Sequence, residues 1–102
     1  MRSERIGRSR VDGSAMTEQI REILLTALNA ARYGIPPDAV IAKAVTEGDR
    51  ELTVERLGLD SLGWMEFCIS IELQSGQELT QFEIEKMRYM FEIEDWLRER
   101  MA

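Results

Sequence analysis

The chain has 102 residues and a net charge of −6, enough length for one domain with a modest core and the wrong sign for a nucleic-acid partner. It contains no histidine, which removes the commonest acid–base catalyst and the commonest zinc ligand and counts against most hydrolase mechanisms. Its single cysteine, Cys68, rules out an intrachain disulfide and suits a reducing, cytoplasmic setting, and no apolar run is long enough for a membrane span or a secretory signal core.

Residues 1–15 read as a disordered N-terminal tail, and residues 16–102 as the folded domain. Arg2, Arg5, Arg8 and Arg10 against Glu4 and Asp12 give this tail +2, which leaves −8 on the remainder. Gly7, Ser9, Gly13 and Ser14 interrupt any helical period, and short polar tails rarely bury enough to order. From Thr17, a possible cap, Ile20, Ile23, Leu24, Ala27, Leu28 and Ala31 recur at helical spacing and form one apolar stripe. Gly34 and the Pro36-Pro37 pair stop the pattern, so a first helix is predicted over 17–33.

Residues 34–60 read as a long connection with partial order. Pro37 suits the start of a short helical piece bearing Val40, Ile41, Ala44 and Val45, which breaks at Glu47-Gly48-Asp49. Leu52, Val54 and Leu57 are expected to anchor the connection, with one helical turn over 53–57 ended by Gly58. A further helix is predicted over 61–74. Its apolar residues, Leu62, Trp64, Met65, Phe67, Cys68, Ile69, Ile71 and Leu73, go most of the way round, which marks a helix facing both core and partner. Thr80 followed by Glu83 satisfies the capping-box spacing; a short helix near 81–87, a break and a final helix near 90–100 follow. No strand pattern is present.

Asp60-Ser61 sits where the apolar helix begins. Asp and Ser are common caps, so the dipeptide alone means little. A phosphate on Ser61 would nevertheless lie at a helix start, where unpartnered N–H groups and the macrodipole favour negative charge. Gly58 permits a tight turn beside it. No second polar cluster accompanies the serine, so neither a catalytic residue set nor a metal site is expected.

The run Leu57-Gly58-Leu59-Asp60-Ser61-Leu62 in this setting resembles the phosphopantetheine-binding acyl carrier protein family, over about residues 17–100. The resemblance implies an all-α, four-helix acyl-carrier-like bundle with one short helix and a long first loop. It implies 4′-phosphopantetheine attached to Ser61 by a separate phosphopantetheinyl transferase using magnesium, with Asp60 assisting modification. It implies that the chain catalyses nothing itself. Its arm would hold acyl intermediates as thioesters for acyl-transfer or synthase enzymes of fatty-acid, polyketide or specialised lipid biosynthesis. The helix after the serine would be the docking surface, with Leu62, Trp64, Met65 and Glu66 as partner contacts on a monomer. That helix carries only Glu66 and Glu72 as acids, and Gly63 stands where the family often has another, which implies a more apolar interface. The alternatives are an aminoacyl or aryl carrier, or an unmodified helical adaptor in which Asp60-Ser61 is only a cap.

Other residues receive plainer readings. Cys68 is expected to be a buried structural thiol. Met65, Met87, Met90, Phe67 and Phe91 are expected chiefly to pack the core, and could also line a cavity for an acyl chain. Trp96 is expected to pack. Glu83, Glu85, Glu92, Glu94 and Asp95 are expected to form a solvated face.

Overall fold

A computed structural model describes the backbone of residues 8–102 and the side chains of residues 15–102. The described residues are all-α, with no strand. Among the described residues there are five helices, α1 (Arg8–Ala31), α2 (Ala39–Glu47), α3 (Ser61–Ser75), α4 (Gln81–Ile84) and α5 (Met90–Met101), and a 3₁₀ turn at Glu55–Leu57. Among the described residues no helix is long and apolar enough to cross a membrane.

Helix α1 is the hub. Its stripe of Ile20, Ile23, Leu24, Ala27, Leu28 and Ala31 is buried throughout, as its spacing predicts. It packs chiefly against α3, and also against α2 and α5. Its described part runs from Arg8 rather than Thr17, so residues 8–15 are helical where a disordered tail was expected. Propagating an established helix is far cheaper than nucleating one, and the one glycine in that segment, Gly13, costs only about 1 kcal/mol. The expected disorder of residues 1–7 falls outside the described residues.

The C-terminus of α1 also differs from expectation. The Gly34 N–H reaches back to the Asn29 carbonyl at 2.9 Å, and Gly34 has the positive φ expected of it, 87°, but it shares the left-handed turn with Tyr33, whose φ is 59°. Helix α2 starts after the Asp38 cap, whose Oδ1 accepts from the Ile41 N–H at 2.9 Å, so Pro37 precedes the helix rather than opening it. Ile41 and Val45 face inward while Val40 is exposed. Gly48 ends α2 in the left-handed region.

Leu52 and Leu57 anchor the connection from α2 to α3 in the core. The backbone adds a tie that side-chain patterning did not foretell. Thr53 and Tyr89 form an isolated antiparallel bridge, with Val54 N–H donating to the Arg88 carbonyl at 2.9 Å and Met90 N–H to the Leu52 carbonyl at 2.8 Å. The loop leading to α3 is thereby fastened to the link between α4 and α5.

Helix α4 is a single turn, shorter than the predicted 81–87, and its Thr80–Glu83 capping box is formed. Glu92 accepts the N–H groups of Arg88 and Tyr89 at 2.8 and 2.9 Å, which starts α5.

The acids expected on a solvated face are mostly structural. Glu94 is buried. Arg21 grips it with two bonds, Nε to Oε1 at 3.2 Å and Nη2 to Oε2 at 3.1 Å, and Arg98 Nη2 adds a third at 2.6 Å. Burial alone would raise the Glu94 carboxyl, but the hydrogen bonds from Arg21 and Arg98 outweigh it and hold the group below the ordinary carboxylate range. Glu83 is lowered chiefly by the Thr80 N–H; it also accepts from the Trp96 indole at 3.2 Å. Of the set, Glu85 alone is exposed and without such a role among the described residues.

Candidate functional site

Ser61 is the first residue of α3, preceded by Asp60 in extended conformation. Asp60 Oδ1 accepts from the Gly63 N–H at 2.7 Å, which satisfies one of the helix-start donors and fixes the turn. Ser61 and Leu62, by position, have N–H groups without partners inside the helix. Gly58, with φ 68°, takes the left-handed conformation that ends the 3₁₀ turn and lets the chain swing into Leu59-Asp60. Both Asp60 and Ser61 are exposed. The Ser61 carbonyl accepts from Gln81 Nε2 at 3.4 Å, a long bond that brings α4 alongside the start of α3.

Gly63 is the residue whose role the sequence reading missed. It is buried, and a Cβ there would stand 3.2 Å from the Ala31 carbonyl oxygen and 3.1 Å from Asp60 Oδ1. The glycine lets the start of α3 lie against the end of α1. A glycine three positions past a cap, inside an apolar run, was the available signal.

Ser61 lies at the edge of an open groove of about 860 Å³. The size falls in the range of small-molecule sites. Its apolar floor is Val54, Leu59, Trp64, Ile84 and Met87, and its rim carries Glu55, Glu85, Lys86 and Arg88. The two walls are the segment tied at Thr53 and the segment tied at Tyr89. Of the residues weighed for a cavity, only Met87 lines this groove. Phe67 and Met90 are buried in the core, and Phe91 borders a separate crevice with scarcely any room. Met65 points to solvent.

The four expected docking residues divide. Leu62 and Met65 are exposed and, with Ile69 and Leu73, form an outward apolar stripe along α3. Glu66 is half-buried. Trp64 leaves this face; its ring meets Phe67 edge-on at 5.1 Å and forms part of the groove floor. Cys68 is half-buried rather than fully enclosed, and burial, with the nearby Glu83 charge, pushes its thiol up to about 11.

No group of three or more acids, cysteines or histidines capable of holding a metal ion is present among the described residues. No protein-family model, curated protein or solved structure matches the chain.

Proposed function

We propose that this protein is an acyl carrier protein in which Ser61 carries 4′-phosphopantetheine. The observation that supports it most is the exposed Ser61 hydroxyl, set at the first turn of α3 and opening onto a groove with an apolar floor. In this reading α1, α3, the short α4 and α5 form the four-helix carrier bundle, and α2 lies within the long first connection.

The residues fit the group. Ser61 Oγ would be esterified as a phosphodiester beside the two unpartnered N–H groups of the helix start, where negative charge is favoured. The Oγ–phosphorus bond forms as the pyrophosphate bond of coenzyme A breaks and adenosine bisphosphate leaves; a separate transferase supplies the magnesium and takes the hydroxyl proton. Asp60 holds the turn through Oδ1 and stays exposed, so its carboxylate is accessible to that magnesium. When bound, the group supplies a terminal thiol that holds acyl groups as thioesters. The chain itself catalyses nothing. Its partners are the transferase and enzymes that load or unload the thioester, docking on the α3 stripe of Leu62, Met65 and Ile69 with Glu66 beside it.

The test is direct. Incubation with coenzyme A, magnesium and a broad-specificity phosphopantetheinyl transferase should add the mass of one phosphopantetheinyl group, and Ser61→Ala should abolish the gain. An unchanged mass for the parent protein would leave Asp60 as a cap and favour the adaptor reading. A gain that survives in Ser61→Ala would move the attachment site.

A further inference from the structure

We propose that the groove beside Ser61 seats a short, amine-bearing acyl group, so that the cargo is an aminoacyl thioester rather than a fatty-acyl chain. This inference rests on the carrier reading and specifies its substrate class. The floor of Val54, Leu59, Trp64, Ile84 and Met87 is apolar enough to receive a small side chain. The groove is open, however, and Thr53, Gln81 and the charged rim make up the rest of its lining. A long alkyl chain laid there would keep much of its surface in water and forfeit the burial that would hold it. A short cargo would cover the floor and leave its polar end at the rim.

The charge of that rim selects the polar end. Glu55, Asp60 and Glu85 oppose Lys86 and Arg88 around the groove. The two cations are turned to aromatic rings, with Lys86 Nζ 4.2 Å from the Phe82 ring centroid and the Arg88 guanidinium 6.0 Å from that of Tyr89. No side chain among the described residues donates a hydrogen bond to Glu55 or Glu85. A phosphodiester on Ser61 would add one more negative charge to a site already in acidic excess. The field around the cargo therefore favours an ammonium, and the Trp64 side chain adds an aromatic group to the lining that a cation would meet.

The experiment compares three loaded forms of the full chain. Ser61 is loaded from coenzyme A derivatives with hydrolysis-resistant linkages bearing leucyl, isocaproyl or octanoyl groups. The first two differ only by the amine. The readout is the indole resonance of Trp64, assigned with Trp64→Phe. The leucyl form is expected to shift that resonance more than either amine-free form, and Glu55→Gln/Glu85→Gln should remove the difference. An isocaproyl or octanoyl form that shifts it as much, or a leucyl shift indifferent to both glutamines, would overturn the cargo class while leaving the carrier reading intact. Failure of Ser61 to accept any of the three, or unmodified phosphopantetheine, would overturn both.

Discussion

Gly63 shows how one missing side chain sets the geometry of the site. The hydrogen that stands in place of a Cβ allows the Ala31 carbonyl and the Asp60 carboxylate to sit on either side of it. A glycine inside a helix ordinarily costs about 0.5–1 kcal/mol relative to alanine. That cost is accepted here because α1 and α3 meet at backbone distance. Gly63→Leu is expected to lower stability by roughly 1–3 kcal/mol, because the added atoms must push α1 away or dislodge the Asp60 cap. Urea unfolding followed by circular dichroism measures it; a midpoint equal to that of the parent protein would show that the contact can relax freely. Its place three positions past the Asp60 cap was the one local sign in the sequence; the contact that requires it, with the Ala31 carbonyl, lies more than thirty positions away and could not be read there.

At the scale of the element, α3 explains both what sequence reasoning could see and what it could not. Its composition marks a helix apolar on most sides, and the helix does serve several neighbours at once. Phe67 and Ile71 enter the core, Trp64 forms the groove floor, and Leu62, Met65, Ile69 and Leu73 face outward. The stripe on α1 was readable because one face alone is apolar. On α3 no face stands out, so the direction of Trp64 depended on where α4 and the preceding loop lie. The thiol of Cys68 follows from the same packing. With its value pushed from 9.0 to about 11, the thiolate fraction at pH 8 falls about 100-fold, one power of ten per unit. The more basic thiolate is also the better nucleophile, which offsets part of that loss, so alkylation by iodoacetamide at that pH should be slower than that of a small-molecule thiol by roughly tenfold, as mass spectrometry over time would report. A Cys68 that reacts as fast as the reference would mean the side chain is reached by solvent and not held against the helix bundle. On the proposed reading, slow reaction also leaves the pantetheine thiol as the reactive sulfur of the modified, unloaded protein.

For the whole molecule, the ion pairing around Glu94 joins three distant parts of the chain. Arg21 comes from α1, Arg98 from α5, and Arg21 Nη1 reaches the Thr46 carbonyl at the end of α2 at 3.3 Å. An acid between Ile93 and Asp95 gives no local sign that it will be buried: Arg98, at i+4, is spaced like any surface pair, and the partner that encloses it, Arg21, lies 73 positions away. The capping box at Thr80, a purely local device, was by contrast readable from four residues. Glu94 and Glu83 are both depressed in the folded protein, so each contributes stability that is fully present above the ordinary value of 4.5 and is lost as pH falls through the lower folded value. Thermal unfolding temperature should therefore decline between pH 5 and pH 3. Glu94→Gln should cost roughly 1–3 kcal/mol at neutral pH, an amount limited by the partial exposure of both arginines. It should also flatten the acid decline; an acid profile as steep in the variant as in the parent would assign the decline to other carboxylates.

The bridge between Thr53 and Tyr89 bears on how such a protein can change. Both banks of the groove are joined there by main-chain hydrogen bonds, Val54 to Arg88 and Leu52 to Met90, which do not depend on which side chains the banks display. Aperture and chemistry are thus separable. Residues such as Glu55, Glu85 and Met87 can be exchanged one at a time to alter what the groove welcomes while its width stays set by the peptide units. On the proposed reading, such a scaffold is retuned to a new passenger by single steps, none of which asks the fold to be solved again.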